Sequence, residues 1–213
     1  MISALDTNSA LDPDTEYVVL CGADHEPVGF APKAEVHHEH TPLHLAFSCY
    51  VFDHAGQLLV TRRARAKKTW PGVRTNSCCG HPGPGEVLPD AVARRLTDEL
   101  GVVADTIELV LPTFAYQATM PDGTRENEVC PVYRATVADR PALRPDPSEV
   151  AEAGWVPWTD FVAEVRADPS AVSPWCSRQV AALHRLGPDP LRWPVSDDTE
   201  LPSAAREPLA PRG

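Results

Sequence analysis

Hydrophobic and polar positions change period several times along the chain, and the changes mark its elements. Residues that favour strands cluster at Glu16 to Cys21 and Leu45 to Phe52. The turn chemistry of Asp53-His-Ala-Gly56 then precedes Gln57 to Thr61, which predicts a hairpin. Further strands are expected at Ile107 to Leu111, Thr113 to Thr119, Glu128 to Thr136 and Gly154 to Pro157, with Met120-Pro-Asp-Gly123 as a turn. Helices are expected from Leu88 to Leu100, Thr159 to Arg166 and Pro174 to Leu186. Strands flank a central helix and helices close the chain, which predicts an α/β (α+β) domain, a mixed sheet sandwiched by helices.

The ends look different. Residues 1–15 are polar and aperiodic and read as a flexible segment, and from Gly187 onward six prolines fall in twenty-seven residues. Residues 188–213 are therefore expected to form a Pro-rich, disordered tail, leaving residues 16–187 as the folded domain.

The helix Leu88 to Leu100 carries a charge on its apolar side. At about 100° per residue, Leu88, Val92, Leu96 and Leu100 form one arc; Glu99 falls inside it and Arg95 lies beside it. A carboxylate on a packing face needs a cation to meet it, either Arg95 four residues away or a metal ion. Gly101 suits the C-terminal cap.

Charge narrows the function. The 213 residues carry a formal net charge of -11, which argues against a nucleic-acid or membrane-surface partner. Yet Arg62, Arg63, Arg65, Lys67, Lys68 and Arg74 place 6 of the 19 basic residues within thirteen positions, a local field suited to a phosphate ester. The first residues show no basic and apolar leader pattern, and six cysteines without paired C-x-x-C spacing read as reduced thiols. A cytosolic protein is expected.

From Gly80 the chain follows a known spacing. Gly80, Glu86, Arg94, Leu96, Glu99, Gly101 and Val102 fit G-x5-E-x7-R-E-U-x-E-E-x-G-U, where U is apolar, and this resembles the Nudix box. Arg95 and Asp98 stand where that pattern has glutamates. The family uses those glutamates to gather divalent ions, so an arginine among them favours anion binding over hydrolysis.

Outside the box, Leu43-His-Leu-Ala-Phe47, Leu58-Leu-Val-Thr-Arg-Arg63, Lys67-Lys-Thr-Trp-Pro-Gly72, Thr75-Asn-Ser, Cys79-Gly-His-Pro82, Glu126-Asn-Glu-Val-Cys-Pro131 and Ser173-Pro-Trp175 follow in order. This set resembles the type I isopentenyl-diphosphate isomerases, a Nudix-fold family that moves a double bond. The resemblance covers residues 16–187 and implies a substrate that is a small allylic or homoallylic diphosphate.

It also implies roles. Cys79 and Glu128 would transfer the protons, Tyr116 would hydrogen-bond within the site, and Trp175 would face the carbocation. Lys33, Arg63, Lys67 and Arg95 would hold the diphosphate, and Glu99 with the Cys79 carbonyl would hold Mg²⁺. A second divalent ion, Mn²⁺, Zn²⁺ or Mg²⁺, would take His37, His44, His81, Glu126 and Glu128. Glu126 and Glu128 are two apart, so on a strand they share a face, and the imidazoles complete a mixed nitrogen and oxygen set. His37 is preferred over its neighbours because its spacing to His44 matches the family.

Five side chains flank these roles. Cys78 is assigned to packing, and His38, His40 and His54 to the surface. Arg74 stands where the family pattern is aromatic and is expected at the mouth of the pocket. A Nudix diphosphate hydrolase and a non-catalytic diphosphate- or metal-binding module are the alternatives.

Overall fold

The computed structural model describes residues 11–210. Two sheets share the chain. The strands are β1 (Tyr17–Cys21), β2 (Pro27–Pro32), β3 (His44–Leu45), β4 (Phe47–Asp53), β5 (Gln57–Arg63), β6 (Arg74–Thr75), β7 (Cys78–Gly80), β8 (Thr106–Leu111), β9 (Ala115–Thr119), β10 (Arg125–Val129), β11 (Val132–Val137) and β12 (Val150–Pro157). The α-helices are α1 (Lys33–Val36), α2 (Leu88–Leu100), α3 (Trp158–Ala167), α4 (Pro174–His184) and α5 (Ser203–Arg206). One sheet runs β2-β1-β3-β10-β9; the other runs β12-β5-β4-β11-β8, with β6 beside β5 and β7 beside β4.

The expected strand Glu128 to Thr136 is two strands, and so is Leu45 to Phe52. Pro131 has no N–H to give to a ladder, and there the chain leaves one sheet for the other. The neighbouring chain crosses at Ala46, whose N–H donates to Val129 O at 2.8 Å. The parallel pairs β3/β10 and β4/β11 thus run side by side through both sheets and splay apart between them. Such a split leaves strand ends facing a gap, where polar side chains can gather.

Every residue of β4 is buried, as befits a strand covered on both faces. Its alternating side chains feed two cores. Phe47, Cys49 and Val51 meet Leu88, Val92 and Leu96 of α2, whereas Tyr50 and Phe52 meet Trp158 and Phe161 of α3 and Val180 of α4. Helix α2 ends where expected: Gly101 takes φ 67°, and the N–H groups of Gly101 and Val102 return to Thr97 O and Leu96 O. Strands β2, β6 and β7 were not expected; each is short or carries proline or glycine.

The ends depart from the expectation. Residues 1–10 lie outside the described residues, but 11–15 form a turn in which Asp12 accepts from the N–H of Asp14 at 3.0 Å. Residues 188–210 are packed, not loose, and 211–213 lie outside the described residues. Trp193 stacks edge-on against Trp158 at 5.3 Å, and Leu201, Ala204 and Ala205 are buried in the α2-side core. Its prolines exclude regular ladders, but the apolar residues between them supply enough buried surface to dock the segment. Among the described residues no helix is long and apolar enough to cross a membrane.

Candidate active site

Where the sheets part, a cavity of about 720 Å³ opens. Strand β10 sets one wall. Arg125 and Asn127 are the more exposed residues, while Glu126 and Glu128 are both buried and turn inward, as the period of two requires. Register then brings Glu128 opposite His44 on β3 and Tyr116 on β9.

Three imidazoles converge beside these acids. The ring centroids of His37, which follows α1, His44 on β3 and His81, which follows β7, lie 5.1–5.8 Å apart. Glu128 Oε1 lies 3.3 Å from His81 Nε2 and 3.6 Å from His44 Nε2, while Glu126 Oε2 lies 3.4 Å from His37 Nε2. The Nε2 atoms of all three histidines are buried with no hydrogen-bond partner. One buried nitrogen left so is costly; three pointing at one place, with a carboxylate, fit a divalent cation. His44 Nδ1 donates to Pro42 O at 2.9 Å, which leaves its Nε2 lone pair free for a metal.

The charges in this corner are separated by burial and pairing. Burial opposes ionisation of Glu128, yet contact with His44 outweighs it and holds the carboxyl down to about 2. Burial, with the neighbouring His44 and His37, pushes His81 well below the ordinary imidazole range, so its ring is neutral. Burial also raises the Tyr116 phenol well above its usual value; its hydroxyl donates to Glu126 Oε2 at 3.5 Å.

Cys79 lies in the wall on β7, paired in register with Ser48 of β4. Its Sγ lies 3.3 Å from both Ser48 Oγ and Asn76 Oδ1. Burial pushes this thiol up to about 11. Cys78, also at the cavity wall, packs into the α2-side core at 2% exposure. Adjacent strand residues face opposite sides, which separates the two thiols by role. Trp175, at the start of α4, closes the apolar end with Tyr116 at 5.8 Å and Trp70 at 5.5 Å between ring centroids.

Cations line the rest of the wall, and Arg63 reaches the tryptophan itself, its guanidinium 5.5 Å from the Trp175 ring. Lys33, Arg63, Lys67 and Arg95 line the same cavity. Arg63 is braced by Thr69, with Nε to Thr69 O at 3.0 Å and Nη2 to Thr69 Oγ1 at 3.1 Å. Arg95 and Glu99, both buried, form the ion pair that the helix pattern anticipated. Burial still raises the Glu99 carboxyl despite that partner. Glu86 and Arg94 of the box hold each other through two bonds of 2.7 and 2.8 Å.

All the expected site residues except His44 line this one cavity, and His44 stands directly behind Glu128. Arg74 departs from expectation. It does not line the cavity but pairs with Glu164 of α3, its guanidinium 5.1 Å from the Phe161 ring. The pairing of β6 with β5 turns it toward that helix, and an acid there captures it.

Glu149 escaped the sequence reading. It pairs with Lys67 and lies 3.4 Å from Arg95, because the pairing of β12 with β5 brings Val150 opposite Arg63. An acid before a strand gives no sign of this, since only long-range register puts it there.

A family model described as NUDIX domain matches residues 42–176. The chain is 53% identical over 190 residues to the isopentenyl-diphosphate Delta-isomerase of Saccharopolyspora erythraea, covering 89% of this chain and 97% of that one. It is 52% identical over 191 residues to the enzyme of the same name from Rhizobium rhizogenes, covering 90% and 91%. Among solved structures, the Deinococcus radiodurans protein DR0079 matches with a TM-score of 0.59 at 20% identity, covering 78% of this chain and 98% of that one. A MutT protein from Methanosarcina mazei matches with a TM-score of 0.55 at 15% identity, covering 68% and 94%. At these identities the structures show the fold.

Proposed function

The chain belongs to the Nudix family and, within it, to the isopentenyl-diphosphate Delta-isomerases. On that premise we propose how its cavity interconverts isopentenyl and dimethylallyl diphosphate. A proton adds to the terminal CH₂ of the alkene, leaving a tertiary carbocation, and a proton leaves the neighbouring CH₂ to form the internal double bond. The substrate's composition is unchanged, so the chain needs one proton donor and one acceptor. Cys79 and Glu128 are that pair. The observation that carries the reading is their presence in one cavity with aromatic and cationic walls.

Each remaining group follows from the demands of this step. Trp175 turns a buried ring toward the cavity, and a cation over such a face gains about 0.5 to 2 kcal/mol. Tyr116 and Trp70 with Trp175 exclude water that would trap the cation as an alcohol. Lys33, Arg63, Lys67 and Arg95 bind the diphosphate, and their fixed charge anchors the hydrocarbon end beside Cys79.

His37, His44, His81, Glu126 and Glu128 would hold a divalent cation, Mn²⁺, Zn²⁺ or Mg²⁺. When bound, it supplies positive charge that orients the two carboxylates and tunes their basicity. Glu99, with the Cys79 carbonyl, would hold Mg²⁺ against the diphosphate. Six unpaired cysteines suit a reducing compartment, which supports the cytoplasm as the setting.

A hydrolase is the weaker reading, because Arg95 takes a box position that would be acidic. The two are separated by incubating the protein with isopentenyl diphosphate and Mg²⁺ in heavy water. Dimethylallyl diphosphate carrying deuterium supports the isomerase; free phosphate without rearrangement, or binding without turnover, overturns it.

A further inference from the structure

An alkene carbon has no lone pair, so the substrate cannot guide a thiol by hydrogen bonding to it. The aim of Cys79 must come from the protein. The same holds for Trp175, whose ring face is useful only at a fixed tilt.

Both are tied to one atom. Asn76 Oδ1 lies 3.3 Å from Cys79 Sγ and accepts from Trp175 Nε1 at 3.2 Å, and Thr75 Oγ1 also donates to it at 2.9 Å. The amide's orientation is settled by its other end: Nδ2 donates to the carbonyls of Cys49 at 3.0 Å and Cys78 at 2.8 Å, anchoring the side chain to β4 and β7. Oδ1 can only accept, so the Cys79 thiol is the donor in that contact.

The other contact of the sulfur agrees. Gln179 Nε2 donates to Ser48 Oγ at 2.9 Å, which leaves the Ser48 hydroxyl proton for Cys79 Sγ at 3.3 Å or Cys130 Sγ at 3.4 Å. The thiol therefore gives to Asn76 and can receive from Ser48. Asn76 itself is fully buried and does not line the cavity, so it acts through its neighbours and never meets the substrate.

We propose that Asn76 is a positioning residue for the isomerisation, setting through one carbonyl oxygen both the direction of the Cys79 thiol and the tilt of the Trp175 ring. This rests on the proposed assignment of Cys79 and Trp175 to the reaction. Turnover of Cys79→Ala and Trp175→Ala beside wild type tests that assignment first, so its failure is distinct from failure of the inference.

Given an active wild type, Asn76→Ala should lower kcat about a hundredfold, with KM for isopentenyl diphosphate within about twofold. Asn76→Asp keeps an acceptor at Oδ1 and loses the donors to the two strand carbonyls. It should retain more kcat than Asn76→Ala although it is the less stable protein. A purely structural role predicts the reverse order, which would overturn the proposal, as would an unchanged kcat in Asn76→Ala. Trp175→Phe, which keeps a ring but removes the N–H, should cost much less in the Asn76→Ala background than in wild type. Independent, multiplying losses would also overturn it. Should Asn76→Ala fail to fold, Asn76→Leu, which fills the site but offers no acceptor, takes its place in the same cycle, with coupled losses expected and independent losses refuting.

Discussion

Glu128 of β10 and His44 of β3 are register partners on parallel strands, and Glu128 Oε1 lies 3.6 Å from His44 Nε2. The carboxylate therefore serves two sites at once, the imidazole cluster behind it and the cavity before it. Glu128→Gln keeps the shape but removes the charge and the proton acceptor. We expect kcat to fall by about 10²–10⁴-fold and Mn²⁺ binding by calorimetry to weaken. Near-normal turnover would remove Glu128 from proton transfer.

Cys78 and Cys79 offer an internal control, because one strand sends them to opposite sides. Cys79→Ala should abolish isomerisation while preserving the cooperative urea transition. Cys78→Ala should do the opposite: turnover stays within about twofold, and the fully packed site loses about 1 kcal/mol as a cavity opens. Assay and denaturation of both proteins check the pair, and an inactive Cys78→Ala with intact Cys79 would contradict the assignment.

Why these positions were legible, and others not, follows from the distance over which each is determined. The inward pair Glu126 and Glu128 and the buried Glu99 follow from local periodicity, two for a strand and 3.6 for a helix. The break at Pro131 was visible as a proline but not as a change of sheet, since pairing partners decide that. Glu149 and Asn76 depend on β12/β5 and β4/β7 register, to which no local pattern refers. Proline content does not foretell the packing of residues 188–210, because it describes backbone hydrogen bonding, whereas docking depends on Trp193 and Leu201.

Glu86 gives a prediction in pH. Burial alone would raise its carboxyl, but the two bonds from Arg94 and the N–H of Gly83 outweigh burial and hold it below the ordinary range. A depressed folded-state value means that ionised Glu86 stabilises the fold above the unfolded carboxylate value, about 4.3, and that this is lost as pH falls through the folded value. Glu86→Gln should thus be less stable than wild type at pH 7, with the gap closing as pH is lowered below about 4. Urea midpoints for both proteins at several pH values measure it, and a gap independent of pH would show that the ion pair contributes nothing through charge.

Arg95 combines two functions that a single substitution separates. It neutralises Glu99 inside the packing face and lines the cationic wall of the cavity, also 3.4 Å from Glu149. Arg95→Met fills similar space without charge, so Glu99 is left buried and unpaired, a loss of about 3 kcal/mol if the carboxylate stays ionised. Because burial already raises Glu99, protonation offers it a way out, and the destabilisation should shrink as pH falls toward 5. Adding Glu99→Gln restores stability by removing the orphaned charge but cannot restore the missing phosphate contact, and Glu99→Gln alone measures what loss of the Mg²⁺ ligand adds to KM. The double variant should therefore fold almost as well as wild type while its KM for isopentenyl diphosphate remains raised by about tenfold or more, the scale of one lost charged hydrogen bond. Recovery of KM together with stability would mean that Arg95 serves the helix alone and that Lys33, Arg63 and Lys67 carry the diphosphate without it.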